Sequence, residues 1–279
     1  MKVLIVGLGL IGGAYALRLK NKGYTVYGSD INEKALEFAM KNNYIDYGTL
    51  DSKDFISEVN LIVLSFYPQA IISYLEANEH LFKENQVITD VCGVKSSFVE
   101  EATKKCGKAI YCSHHPMAGR EKVGIEYSQL CVFEDANFLI TPTEDTPQFA
   151  IDMINKMGVD LGFARFTVMD IKKHDRMIGF TSQLTHAIAV SLVNSDHDDD
   201  TINFIGDSYR DLTRIAMINE SLWSELFLEN KEYLFMHIVS FEMELAQLKY
   251  ALANNDKEKL EELFKKSTGI RRRMEKQWN

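Results

Sequence analysis

Lys2-Val3-Leu4-Ile5-Val6-Gly7-Leu8-Gly9-Leu10-Ile11-Gly12-Gly13, read together with the residues from Ala14 to Asp30, decides the fold. The apolar run Lys2 to Val6 reads as a short buried parallel strand. It enters a G-x-G-x-x-G segment, after which Ala14, Leu17 and Leu19 mark a helix that Gly23 stops. A second strand, Thr25 to Ser29, ends on Asp30. In such a unit Gly7 permits a tight turn, Gly9 lets backbone approach a pyrophosphate, and Gly12 lets helix pack close on strand. The first helical residues, Leu10 and Ile11, offer unpaired N–H groups at the positive end of the helix dipole. Asp30 is placed to accept hydrogen bonds from a ribose 2′-hydroxyl and to repel a 2′-phosphate, which favours NAD over NADP. Lys2, the apolar run and Ala14-x-Ala16 superficially match a secretory leader, but three spaced glycines would break its helix.

Composition sets the outer limits. The chain has 279 residues, 46% hydrophobic and 25% charged, which suits a two-domain globular protein. No apolar run reaches the ~20 residues needed to span a bilayer, so no membrane role is expected. A net charge of −9 argues against nucleic-acid binding. Cys92, Cys106, Cys112 and Cys131 show no CxxC spacing and read as reduced thiols of a cytoplasmic protein.

Further along, helix Glu33 to Asn42, strand Asn60 to Ser65, strand Gln86 to Asp90, a helix to about Lys105 and strand Ala109 to Cys112 alternate as in a parallel α/β sheet. Ligands of such sheets lie outside the carboxyl ends of the strands, where the loops Asp90–Lys95 and His114–Gly119 belong. Asn137 to Thr141, a helix over 148–157 and a last strand, Arg165 to Val168, complete an N-terminal domain of residues 1–168. From 169 to 279 helical periodicity dominates, over 171–194, 201–218, 222–252 and 257–277. The expected architecture is α/β: a Rossmann-type parallel sheet domain followed by an all-helical domain. Apolar faces such as Phe180, Leu184, Ile188 and Leu192 suggest that the helices bury against a second copy in a homodimer.

Several residues could carry chemistry. His115, in the loop before Pro116, is either a general base titrating near the ordinary imidazole value of ~6.5 or a structural histidine. His114 beside it is less suited, because neighbouring loop residues seldom both face a site. Arg120-Glu121-Lys122 could meet an anion or form a solvated turn. His186, between Leu184 and Ile188, reads as a core or a ligand-facing histidine. Asp211 and Arg214 share one helix face, and a guanidinium beside Leu212 and Ile215 needs a carboxylate partner, Asp211 or a ligand. Asp196-His197-Asp198-Asp199-Asp200 is better read as a solvated acidic loop than as a metal site, and no metal is expected.

The ordered blocks G-L-G-L-I-G-G, D-V-C-G-V-K, H-P-M-A-G-R-E-K, T-S-Q-L-T-H-A-I-A and R-D-L-T-R-I-A, then L-W-S-E-L-F-L-E-N-K, resemble the prephenate/arogenate dehydrogenases of tyrosine biosynthesis over nearly the whole chain. The resemblance implies NAD-dependent oxidative decarboxylation of prephenate, or the corresponding reaction of arogenate, in a homodimer. It further implies that His115 is catalytic, that His186 and Arg214 (with Asp211 beside it) bind substrate, and that Glu121 lies near the site entrance. The family pattern D-x-G-S-x-K departs here, with Cys92 and Gly93 in place of Gly-Ser, so that Gly93 stands where a substrate-binding serine is expected. Loss of catalysis with retention of nucleotide binding is the contrasting reading.

Overall fold

The structure, a computed structural model, describes residues 1–118 and 122–278. The chain forms two compact units, Met1–Asn230 and Lys231–Asn279. The first opens with β1 (Lys2–Val6), α1 (Leu10–Asn21), β2 (Thr25–Ser29), α2 (Glu33–Lys41), β3 (Tyr47–Thr49), α3 (Lys53–Ile56), β4 (Leu61–Leu64), α4 (Pro68–Asn78), β5 (Val87–Asp90), α5 (Val99–Lys105) and β6 (Ile110–Tyr111). Its strands pair in the order β3-β2-β1-β4-β5-β6, all parallel. β1 is flanked by β2 on one side and β4 on the other, so the topological switch point lies at its carboxyl end.

Both sheet faces are covered, which is why β1 and β4 are apolar without alternation. Val3, Ile5, Leu61 and Val63 join one core with Ala16 and Leu19 of α1 and with Leu36 of α2. Leu4, Val6, Ile62, Leu64 and Ile88 join the other with Ile71 and Leu75 of α4 and Ala102 of α5. This is the expected parallel architecture.

After β6 the structure departs from a single sheet. β7 (Ser113–Pro116), β8 (Asn137–Thr141) and β9 (Arg165–Val168) form a separate three-stranded sheet, with α6 (Gln148–Leu161) between the last two strands. β7 runs antiparallel to β8, pairing His115 with Leu139, whereas β8 and β9 are parallel. The segment expected to be a loop at His114–His115 is therefore a strand, and its alternation sends the two imidazoles to opposite faces.

The helices that complete the first unit are α7 (Ile171–Ile178), α8 (Leu184–Asn194), α9 (Asp207–Thr213) and α10 (Glu220–Glu229). A π-helical turn, Gly179–Gln183, joins α7 to α8. The helix expected over 201–218 is instead a 3₁₀ turn at Thr201–Phe204, then α9, then a 3₁₀ turn at Arg214–Ala216. The long helix expected from Leu222 to Leu252 is interrupted at Asn230, the C-cap of α10. The second unit is the helix pair α11 (Lys231–Ala253) and α12 (Lys257–Trp278). Among the described residues no helix is long and apolar enough to cross a membrane.

Candidate active site

The glycine segment forms a cradle at the end of β1. Gly7 adopts φ +91°, and a Cβ built there would stand 2.6 Å from the Ser65 carbonyl oxygen. A Cβ on Gly12 would come within 1.9 Å of the Gly7 carbonyl oxygen, so α1 crosses the loop at a distance only glycine allows. Gly9 is different: nothing lies within 4 Å of its built Cβ. It is also the N-cap of α1 and supplies no side-chain cap, so Leu10 and Ile11 begin the helix with their N–H groups toward that open space. Asp30 closes the cradle, its carboxylate accepting from Leu8 N at 2.6 Å and Asn32 N at 2.8 Å. An open approach at Gly9, a bare helix N-terminus and an acid anchored against the loop fit a dinucleotide pyrophosphate and its ribose.

His115 lies beyond the carboxyl end of β5, and a chain of two further side chains fixes its ring. Its Nδ1 is 3.0 Å from His174 Nε2, and His174 Nδ1 is 2.7 Å from Asp175 Oδ1. Asp175 is fully buried, and its carboxylate also accepts from the backbone N–H groups of Lys95 (3.0 Å) and Ser96 (2.6 Å). Burial would raise this carboxyl, but His174 and the Ser96 N–H overcome burial and hold it below the usual range. The network assigns the tautomers. An ionised Asp175 accepts a hydrogen bond from His174 Nδ1–H, leaving His174 Nε2 as an acceptor. His115 must then donate from Nδ1, so its Nε2 carries the lone pair. Burial, followed by His174, Lys95 and His114, pushes His115 well below the ordinary imidazole value, which keeps the ring neutral. The expectation of a group titrating near ~6.5 is corrected downward for this reason.

The floor of the site is a buried ion pair. Lys95 Nζ, fully buried, meets Asp90 Oδ1 at 2.6 Å and donates to the His114 carbonyl at 2.7 Å. Asp90 also accepts from Tyr111 and Ser113 hydroxyls and from Cys92 N. Burial alone would raise Asp90; the Lys95 ammonium and these hydrogen bonds bring it below the usual carboxylate value. His114 is a core residue. It is fully buried between the rings of Tyr15 and Phe138, with Nε2 2.9 Å from Tyr15 Oη and Nδ1 2.6 Å from Thr89 Oγ1.

Gly93 faces the Nε2 edge of His115. A Cβ built there would lie 3.7 Å from His115 Nε2 and 3.8 Å from Leu226 Cδ2, ordinary contact distances that leave room for a larger residue. Leu226 belongs to α10, and α10 is tied down by side-chain bonds. Gln183 of the π turn donates to the Leu226 carbonyl at 2.8 Å, and Asn230 donates to Gln183 Oε1 and to the Asp175 carbonyl. The extra residue of a π turn is a recurrent device at functional sites, and here it carries the buried Gln183 that meets α10. On the same helix Trp223 stacks on His186, ring centroids 3.7 Å apart. His186 is half-buried on α8, its Nδ1 2.9 Å from the Ser182 carbonyl. α10 therefore borders both the His115 surroundings and His186.

Arg214 lies in the 3₁₀ turn that packs against α8, the helix of His186. It and Asp211 are exposed, so of the two placements open to the guanidinium, buried or lining a cleft, the buried one does not hold. Arg120 and Glu121 lie outside the described residues. The acidic loop caps itself: Asp196 accepts from Asp198 N and Thr201 Oγ1, and Asp198 accepts from Asp200 N. Among the described residues no group of His, Cys, Asp and Glu could hold a metal. His174, Asp175, Gln183, Trp223 and Asn230 are site residues that sequence reasoning did not reach. The one available signal is a polar His-Asp pair near the start of a helix whose next turns are apolar.

A Rossmann-type sheet with a glycine cradle at its switch point, and a neutral imidazole held beside it, define a dinucleotide-binding oxidoreductase. Residues 14–166 match the family described as prephenate dehydrogenase, nucleotide-binding domain, and residues 170–266 match its dimerization domain. The chain belongs to the prephenate dehydrogenase family. It is 30% identical over 277 residues to cyclohexadienyl dehydrogenase of Zymomonas mobilis, covering 96% of this chain and 94% of that one. It is 27% identical over 278 residues to prephenate dehydrogenase of Bacillus subtilis, covering 96% of this chain and 75% of the relative. Its structure is similar to the crystal structure of prephenate dehydrogenase from A. aeolicus in complex with hydroxyphenyl propionate and NAD+, with TM-score 0.88, 30% identity and 98% of each chain covered.

Proposed function

We propose that this protein catalyses the NAD-dependent oxidative decarboxylation of prephenate to 4-hydroxyphenylpyruvate, with His115 as the general base. The observation that carries the reading is the Asp175–His174–His115 chain, which leaves a neutral His115 with its lone pair on Nε2, beside the Gly93 turn. The cradle of Gly7, Gly9, Leu10, Ile11, Gly12 and Asp30 holds the cofactor, and NAD+ bound there supplies the hydride acceptor.

His115 Nε2 accepts the proton of the ring hydroxyl as the carbinol carbon is oxidised toward a carbonyl. When the ring carboxylate departs as CO2, its electron pair enters the ring and the imidazole returns the proton to the phenolic oxygen. No proton is released overall, so a base that both accepts and donates from one atom suffices. Aromatisation drives the step, and the task left to the protein is positioning and charge placement. Arg214, permanently charged, holds a carboxylate of the dianionic substrate at the rim, with His186 braced by Trp223 as its partner. Asp211 and Glu121 are assigned to the same rim, and Gly93 to the wall beside the ring hydroxyl.

Residues 1–168 are assigned to dinucleotide binding and 169–279 to substrate contacts and assembly as a homodimer. Four buried cysteines outside any disulfide, Cys92, Cys106, Cys112 and Cys131, support a cytoplasmic setting. The test is NADH formation from prephenate and NAD+ with CO2 release in equal amount, repeated with arogenate. The reading expects turnover with a higher kcat/KM for prephenate. Higher kcat/KM with arogenate would transfer the assignment to that substrate, and NAD+ binding without turnover of either would reduce the protein to a nucleotide-binding one.

A further inference from the structure

Gln183 and Asn230 are buried polar side chains to which the proton transfer gives no task. Gln183, in the π turn, is 1% exposed, and Asn230, the C-cap of α10, is 4% exposed. Their amides form one unit. Asn230 Nδ2 donates to Gln183 Oε1 at 2.7 Å and to the Asp175 carbonyl at 2.9 Å, and Gln183 Nε2 donates to the Leu226 carbonyl at 2.8 Å. These bonds join α7, the π turn and α10, which lie more than 40 residues apart in sequence. Leu226 is in the last turn of α10, where carbonyls run out of helical donors. The Asn230 N–H that would serve it turns to the Leu228 carbonyl instead, so Gln183 supplies the missing donor.

Both ends of this unit reach the surroundings of His115. At one end Asp175 orients His174 and, through it, His115. At the other, Leu226 Cδ2 is 3.8 Å from the Cβ position built on Gly93, and that position is 3.7 Å from His115 Nε2. The contacts close a circuit around one imidazole, from its Nδ1 through Asp175, Asn230, Gln183 and Leu226 back to its Nε2 edge. One turn before Leu226 on the same helix, Trp223 stacks on His186. We infer that Gln183 and Asn230 are positioning residues that set how far α10 stands from the Nε2 edge of His115, so that the wall over the base and the Trp223–His186 stack are placed by a single pair of amides. A buried amide that loses its partner has no water to replace it, so α10 must shift to satisfy the group left behind. Among the described residues neither amide bonds to β1, α1 or the Asp30 turn, so the glycine cradle is outside this control. The inference rests on the reading of His115 as the base given above.

The experiment compares Gln183→Met, Asn230→Leu and the double variant in the full chain, with prephenate kinetics, NAD+ calorimetry and tryptophan emission. Emission is read in a Trp278→Phe background, where Trp223 is the only tryptophan. Each single variant should lower kcat/KM for prephenate by about tenfold or more at unchanged NAD+ affinity. Trp223 emission should move to the red as α10 leaves His186, and the double variant should lose no more than the worse single one, because the two amides act as a unit. Wild-type kcat/KM in either single variant overturns the inference. So do losses that multiply in the double variant, which mark independent roles, and a parallel fall in NAD+ affinity, which marks a general loosening. Gln183→Glu keeps the shape and the bond from Asn230 but cannot donate to the Leu226 carbonyl, so it serves if the apolar variants fail to fold; wild-type kinetics there overturn the inference equally. A wild-type protein that turns over neither prephenate nor arogenate overturns the underlying reading of the reaction, whereas unshifted Trp223 emission in Gln183→Met or Gln183→Glu overturns the positioning role by itself, which separates the two claims.

Discussion

His115 Nδ1 and His174 Nε2 stand 3.0 Å apart across 59 residues of sequence, and this one contact orients the His115 ring with its lone pair on Nε2. His174 is itself held by Asp175, so the chain of bonds ends on a buried carboxylate. In a triad, replacing the carboxylate by an amide frees the wrong tautomer and costs ~10⁴ in kcat. Here the reacting ring is one imidazole further away, and Asp175→Asn should lower kcat by about 10²-fold. NAD+ affinity should be unchanged, and the acid limb of the pH profile should move. Steady-state kinetics across pH, with NAD+ titrations alongside, measure all three, and a wild-type profile would remove the relay from the mechanism.

Much of this was legible in the sequence, and the limits have physical causes. Gly7 and Gly12 are readable because a close backbone approach admits no substitute, Gly9 from its place in the G-x-G-x-x-G spacing, and Val3 to Val6 because a strand covered on both faces must be apolar. Asp175 was not readable, since its worth comes from accepting Lys95 N and Ser96 N, partners about 80 residues away. The break at Asn230 was equally hidden. Its amide is used by Gln183 and by the Asp175 carbonyl, which no local periodicity reports. His115 is preferred to His114 in sequence because neighbours seldom both face a site, and the alternation of β7 is the physical reason: it stacks the His114 ring on Phe138 in the core and sends His115 to the other face.

The pH dependence has a definite sign. Burial with His174, Lys95 and His114 nearby disfavours protonated His115, so its active neutral form persists below pH ~6.5. The acid limb of kcat/KM, which reports the free enzyme, should therefore lie below that value. Stability follows the same direction. Burial, reinforced by Lys95, pushes His114 down to about 3, whereas in the unfolded chain it titrates near ~6.5. Its contribution is fully present above pH ~6.5 and is lost as pH falls toward its folded value, at about 1.4 kcal/mol per pH unit. Urea midpoints that stay flat between neutral pH and pH ~5 would contradict this linkage.

The glycines of the cradle should behave differently from one another. Gly9→Ala meets nothing within 4 Å in the protein, so it should fold with the wild-type melting temperature yet bind NAD+ about tenfold or more weakly. Gly12→Ala would drive a methyl to within 1.9 Å of the Gly7 carbonyl oxygen and should lose both stability and binding. Thermal melting alongside calorimetry distinguishes the two patterns.

Arg214 is assigned to ground-state capture of a carboxylate. Arg214→Ala should raise KM for prephenate by about 10–100-fold with kcat little changed, as expected for loss of a charge-assisted hydrogen bond made equally before and during reaction. A fall in kcat at unchanged KM would place the guanidinium in the chemical step instead.

The most direct test of the account is single-turnover NADH formation by His115→Asn, measured with NAD+ and prephenate both saturating. If the His115 lone pair takes the hydroxyl proton, the rate falls by ~10²–10⁴ while both ligands bind with wild-type affinity. A variant that turns over at the wild-type rate would contradict the account.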